Sequence, residues 1–189
     1  HPEWFNRDRF ILSSGHISDS LYAILHMAGY EVSMDDLKNF RQFGSKTPGH
    51  PEVGVTPGVD VSGGPLGMGL AQSIGFAMAE KHIAALYKDG EELCSHYTYV
   101  LCGDGCLEEG ISQEAISIAE LQKLNKLILV YDANGSTLDG PTTNSLVEDE
   151  KARFLASNWN VLEVNDGNDL VALDNALSEA KKSLDKPTM

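Results

Sequence analysis

Cysteine is scarce in this 189-residue chain, which has only three thiols, Cys94, Cys102 and Cys106. An odd, sparse set excludes a disulfide framework and points to a reducing, cytoplasmic compartment. No run of about 18 apolar residues occurs, so no membrane-crossing helix is expected. Basic residues are few: 14 against 28 acids, a net charge of −14. Duplex nucleic acid and anionic membrane surfaces are themselves polyanions, so neither is an expected partner. Repeats, low-complexity tracts and a legible signal peptide are also lacking. What is present is ordinary for a globular domain: 42% hydrophobic and 22% charged residues. One domain of this size buries a core without help from metal or disulfide. The chain opens on His1-Pro2, without an initiator Met, and stops at 186–189 in what reads as the entry to a strand. A single domain cut at both ends from a longer polypeptide is expected.

Periodicity predicts a helix over residues 18–28, with Leu21, Ile24, Leu25 and Ala28 at helical spacing and Gly29 as its stop. Ser33-Met34-Asp35-Asp36 reads as a capping box before a short second helix. Residues 41–65 are rich in Gly and Pro and lack periodicity, and a loop that long inside a compact domain is usually functional or disordered. A long helix is predicted over 66–87, with Leu66, Leu70, Ile74, Ala77 and Met78 inward. Gly67, Gly69 and Gly75 weaken a helix interior by roughly 1 kcal/mol each, which implies close approach of a backbone or ligand. Residues 97–102 and 127–131 read as buried parallel strands joined by a helix bearing Ile111, Ala115, Ile118, Ala119 and Leu124. A third strand is expected at 160–164. A last helix is expected at about 168–184, with Leu173, Leu177, Ala180 and Leu184 inward. The fold class is α/β, with a doubly wound, mostly parallel sheet and helices on both faces.

The sharpest chemical signal is Gly103-Asp104-Gly105 followed thirty positions later by Asn134, both just past the carboxyl ends of adjacent predicted strands. Open α/β sheets bind ligands in that crevice. A glycine there lets backbone approach a diphosphate. Asp104 offers a hard carboxylate and Asn134 a neutral carbonyl, a donor set that suits Mg²⁺ rather than zinc. Taken alone, each tripeptide is no more than a turn. Gly67-Met68-Gly69 lacks a third glycine at Gln72 and a leading strand, which counts against a dinucleotide fingerprint.

The pair is the thiamine-diphosphate motif, and further blocks narrow it. Asn6-Arg7-Asp8-Arg9-Phe10-Ile11-Leu12-Ser13, Ser45-Lys46-Thr47-Pro48-Gly49-His50-Pro51-Glu52, Gly64-Pro65-Leu66-Gly67-Met68-Gly69 and His96-Tyr97-Thr98-Tyr99 occur in the order and spacing of a known family. So do Gly103 to Ser112, Asn134-Gly135 and Asp139-Gly140. From Asn6 to Pro187 the chain resembles the diphosphate-binding domain of transketolases.

That resemblance implies an enzyme that moves a two-carbon ketol unit between sugar phosphates, as in the pentose phosphate pathway, using thiamine diphosphate and Mg²⁺ (or Ca²⁺ or Mn²⁺). Asp104 and Asn134 match the metal-binding side chains, and Ser136 matches a residue giving its backbone carbonyl to the metal. Gly105 matches the diphosphate-binding glycine, and His16 a histidine beside the diphosphate. Gly64, Pro65 and Leu66 match the segment lying against the cofactor. His50 matches a histidine near the reacting oxygens, in the rigid frame of Pro48-Gly49 and Pro51. Glu109 and Glu114 match acids that meet across a homodimer interface. Ile17 stands where the family commonly has glycine and adds bulk at a cofactor turn. Cys106 is expected to be a small packed residue, and His26, His82 and His96 to be structural. The pyrimidine-binding domain, with its activating glutamate, has no counterpart here, so this piece alone is expected to be inactive. The alternatives are a catalytically silent assembly module and another thiamine-diphosphate ketol synthase.

Overall fold

The computed structural model describes residues 3–138 and 140–189. Strand β1 (Arg9–Leu12) leads through a 3-10 turn (Gly15–Ile17) into α1 (Ser18–Met27) and α2 (Met34–Lys38). A long irregular stretch precedes α3 (Met68–Leu86), which is followed by α4 (Gly90–Leu93) and β2 (Thr98–Gly103). Two helices, α5 (Asp104–Leu107) and α6 (Gly110–Leu121), connect β2 to β3 (Leu127–Asp132). A small hairpin, β4 (Ser136–Thr137) with β5 (Gly140–Pro141), precedes α7 (Glu150–Ala156) and α8 (Leu170–Ala180).

The central sheet has the order β1-β2-β3, all parallel, with Leu12 opposite Leu101 and Gly103 opposite Asp132. Side chains alternate across a strand, so this register sorts them into two cores. Ile11, Val100, Cys102 and Leu129 pack with Leu70, Ile74 and Ala77 of α3, Ala115, Ile116 and Ala119 of α6, and Phe154 of α7. Leu12 and Leu101 turn the other way and meet Leu21, Tyr22 and Leu25 of α1. The doubly wound α/β expectation holds, with helices on both faces. All three cysteines are free and buried, Cys106 among them as packing.

Local signals decide the starts of α2, α7 and α8 and the end of α1. Ser33 accepts from the Asp36 N–H at 3.1 Å and Asp36 accepts from the Ser33 N–H at 2.8 Å, a complete capping box. Asp149 and Asp169 cap α7 and α8 in the same way, through Ala152 N–H and through Val171 and Ala172 N–H. Gly29, at φ +83°, follows α1 as a left-handed stop. His26 takes a structural place beside the Val32 carbonyl, 2.7 Å from its Nδ1.

Several expectations are corrected. Strand β1 and helix α7 have no counterpart in the periodicity reading. In the strand expected at 160–164 Asn160 alone bridges, to Thr188, and the Leu162 N–H bonds the Met189 carbonyl at 2.8 Å. Thr188 also bridges Ile128, so 186–189 does enter the sheet. Helix α8 ends at Ala180, and Leu184 is 89% exposed rather than inward. Ile24, Met78, Ile111 and Ile118 are exposed on their helices, while Ile116 takes the buried position on α6. Each apolar stripe is wider than the face that the other described residues cover.

The glycines of α3 divide clearly. Helix α3 starts at Met68, after Gly67 at φ +76°. A Cβ on Gly69 would lie 2.6 Å from Ser13 Cα, and one on Gly67 2.8 Å from Ser112 Oγ, so both mark close approach. A Cβ on Gly75 would meet nothing within 4 Å. Gly75→Ala is therefore expected to raise the midpoint of denaturant unfolding, through a gain in unfolding free energy of about 0.5–1 kcal/mol. Gly69→Ala is expected to lower it, because rigid backbone must move.

Candidate functional site

Three chain reversals meet at the carboxyl edge of the sheet. The first follows β2. Asp104 opens α5 and is buried, 4% exposed, an unusual place for a carboxylate. Its Oδ1 accepts from the Tyr131 hydroxyl at 2.5 Å. Its Oδ2 is buried with no hydrogen-bond partner among the described residues. Tyr131 comes from β3, next to the end of β2 in register. Burial, the hydrogen bond to Asp104 and the nearby acids hold the Tyr131 phenol far above its usual range, so it remains a donor.

The second reversal follows β3. Asn134 is exposed, donates from Nδ2 to Asp132 Oδ2 at 3.1 Å and accepts the Ser136 N–H on Oδ1 at 2.9 Å. This local turn fixes the amide and aligns Ser136 at the base of the hairpin. Gly105 links the two reversals: a Cβ there would lie 3.1 Å from Leu66 Cδ1 and 3.2 Å from Thr137 Oγ1. The two elements approach this closely only because Gly105 has no side chain. Asp139, matched above with Gly140, lies outside the described residues.

The third reversal follows β1. Ser13 donates its N–H to the Leu101 carbonyl at 2.8 Å, and its hydroxyl oxygen accepts the Leu70 N–H at 3.1 Å, which caps α3. Gly15 then packs on the loop before α3: a Cβ on it would lie 3.1 Å from Gly64 N and 3.4 Å from His50 Cδ2. The Gly63 N–H bonds the Pro51 carbonyl at 2.9 Å, closing residues 51–63 into a loop with His50 and Gly64 at its neck. Arg7 pins this loop to β1 through Asp60, at 2.6 and 3.0 Å. His16 and His50 are both exposed beside this neck, and Arg41 donates to the His16 carbonyl at 3.5 Å. Ile17 turns into the core of Leu12, Leu21 and Tyr22, so its bulk is directed away from the turn.

His16, His50, Gly64, Leu66, Asp104, Gly105 and Asn134 thus share one edge, with Pro65 exposed between Gly64 and Leu66. Glu109 and Glu114 do not join them: both are exposed on α6 or its cap, with Glu109 Cβ near Gly67. Sequence reasoning missed Ser13, Ser14, Tyr131 and Glu150. The apolar run Phe10-Ile11-Leu12 before two serines is a strand-end signal for the first two. Glu150 has no such signal, since it looks like any first-turn acid.

Glu150 is 7% exposed, and neither carboxylate oxygen has a hydrogen-bond partner among the described residues. Arg153 Nε stands 4.0 Å away. Burial foremost, then the charges of Asp104, Asp149 and Glu108, push its carboxyl above the usual carboxylate range. A carboxyl raised in the folded state binds more protons there than when unfolded. Its contribution is intact at pH below about 4.3, the ordinary value, and is lost as pH rises through the raised one. In the absence of divalent cation, Glu150→Gln should therefore melt higher than wild type near neutral pH. Its advantage should shrink on acidification towards pH 4, as thermal unfolding across that range would record.

A family model described as the thiamine diphosphate binding domain of transketolase matches residues 1–189. The chain is 55% identical to a transketolase of Geobacillus stearothermophilus and 52% identical to transketolase 1 of Saccharomyces cerevisiae. Each match covers all of this chain and 28% of the relative. A solved transketolase from Leishmania mexicana superposes with a TM-score of 0.96 at 51% identity, over 100% of this chain and 28% of that one. The chain spans little more than a quarter of the length of these relatives. With its parallel sheet and glycine-lined edge, the chain belongs to the transketolase thiamine diphosphate binding domain family.

Proposed function

We propose that this chain is the diphosphate- and metal-holding part of a transketolase, which moves a two-carbon ketol unit from a ketose phosphate to an aldose phosphate. The observation that carries this reading is the buried Oδ2 of Asp104, unpartnered among the described residues, beside Gly105, where the packing leaves no room for a side chain. A buried carboxylate oxygen without a donor is costly unless a cation meets it. Asp104, the Asn134 carbonyl and the Ser136 backbone carbonyl are hard oxygens and would hold Mg²⁺, with Ca²⁺ or Mn²⁺ as substitutes. Among the described residues no three His, Cys, Asp or Glu gather into a metal-holding cluster. That fits a cation whose remaining ligands are diphosphate oxygens and water. Gly105 admits the diphosphate, His16 lies beside it, and Gly64, Pro65 and Leu66 form the wall against the rest of the cofactor.

When bound, thiamine diphosphate supplies the carbon nucleophile for ketol transfer. His50, exposed at the neck of the 51–63 loop, donates to the oxygen that gains charge at the reacting centre. Tyr131 remains protonated and keeps Asp104 oriented. Glu109 and Glu114, exposed on one helix region, would meet a partner subunit that brings the pyrimidine domain in a homodimer. No helix among the described residues is long and apolar enough to cross a membrane. That fits a cytoplasmic enzyme acting on sugar phosphates.

In the full-length protein, Asp104→Ala is expected to abolish Mg²⁺-dependent thiamine-diphosphate binding. Unchanged affinity by calorimetry would show the site to be misassigned. His50→Ala is expected to lower the catalytic constant about a hundredfold, roughly 3 kcal/mol, with cofactor affinity little changed. Parallel loss of cofactor binding and turnover in steady-state kinetics would return His50 to loop scaffolding.

A further inference from the structure

Two adjacent serines end β1, and each ties down a different element. Ser13, 1% exposed, caps α3 through the Leu70 N–H. Ser14, 4% exposed, reaches the other way. Its Oγ accepts the Gly103 N–H at 2.9 Å and lies 3.7 Å from Cys106 Sγ, itself fully buried. A hydroxyl has one proton and two lone pairs. With one lone pair on the Gly103 N–H, the proton is available to the sulfur. One oxygen therefore grips the residue before Asp104 and the residue after Gly105.

The backbone of Ser14 belongs to the opposite reversal. Its carbonyl accepts the Ile17 N–H at 3.1 Å, inside the turn that carries Gly15 and His16. Gly15 in turn packs against Gly64 and His50. Ser14 is thus a junction between the Asp104 turn and the two histidines.

We propose that Ser14 is a positioning residue for cation binding: its buried hydroxyl brackets Asp104-Gly105, aims the unpartnered Asp104 oxygen and couples that turn to the His16 and His50 neck. The inference rests on the metal- and diphosphate-binding reading above. The β2–β3 ladder also holds Gly103, and Ser112 donates to the Cys106 carbonyl, but Ser14 bonds both flanks of the Asp104-Gly105 step with one side chain. Removing its hydroxyl leaves Asp104 tied through Oδ1 to Tyr131 and loosens the turn that aims Oδ2.

The test is calorimetric titration of thiamine diphosphate into the full-length protein at a series of Mg²⁺ concentrations, with melting temperature measured alongside. Ser14→Ala should raise the Mg²⁺ needed for half-maximal cofactor binding about tenfold or more, as loss of a ligand-orienting partner does. Saturating Mg²⁺ should recover the binding. Ser14→Thr, which keeps the oxygen, should stay near wild type. Ser13→Ala loses an equally buried hydrogen bond away from the metal turn. It should lower the melting temperature without moving the Mg²⁺ requirement. If Ser14→Ala behaves like Ser13→Ala, or if Ser14→Thr fails as badly as Ser14→Ala, the proposal is overturned. Should Ser14→Ala not fold, Cys106→Ala cuts only the sulfur arm, and an unchanged Mg²⁺ requirement there overturns it equally. Asp104→Ala separates the two layers: if it retains Mg²⁺-dependent binding, the site reading itself fails, whatever Ser14 does.

Discussion

Register in the parallel sheet is the constraint on which the site depends. Leu12 lies opposite Leu101, and Gly103 opposite Asp132, so three strands end at one edge within a residue or two of each other. A shift of one residue in any strand would turn its core side chains to the wrong face. It would also move Ser14 off Gly103 and Tyr131 off Asp104. The two hydrophobic cores that hold the register, one under α3 and α6 and one under α1, therefore hold the site as well. Placement of the functional groups follows from packing rather than from a separate device.

At that edge the molecule tolerates arrangements that stability alone would not select. Asp104 and Glu150 are both buried, with carboxylate oxygens that no donor meets. Tyr131 compensates for half of the Asp104 carboxylate, and Arg153, at 4.0 Å, only partly offsets Glu150. Buried charge without partners is expensive. At Asp104 the expense has a functional reading, because a carboxylate already stripped of water is prepared for a cation. Glu150 adds negative charge to the same neighbourhood from a different element.

Close approach is the second theme. Gly15 meets Gly64, Gly69 meets Ser13, Gly67 meets the start of α6, and Gly105 lies between Leu66 and Thr137. These contacts bring backbone, rather than long side chains, to the edge of the sheet. Ser13 and Ser14 then accept from the Leu70 and Gly103 amides at these junctions, at 3.1 and 2.9 Å. A glycine-and-serine surface of this kind leaves room for a ligand with many oxygens while keeping the surrounding turns fixed.

Much of this was legible in the residues. The apolar runs at 97–102 and 127–131 specify buried parallel strands, and the capping box at Ser33 is local chemistry that needs no tertiary context. Gly103-Asp104-Gly105 with Asn134 at strand ends marks the crevice, because strand ends and turn residues are both written in short-range pattern. Tertiary structure alone decided the rest. Strand β1 is four residues long, too short to show a period, and exists because β2 offers it a ladder. In the stretch 160–164 only Asn160 bridges, and its partner Thr188 lies 28 positions away. Ile24, Ile111 and Ile118 look like core by spacing, yet no neighbour covers them. Ser14, Tyr131 and Glu150 acquire meaning only through contacts with residues 89, 27 and 46 positions away in Gly103, Asp104 and Asp104, respectively. Local sequence determines which elements form and where they stop. Burial, and with it the partner each polar group must find or do without, is settled only when those elements pack.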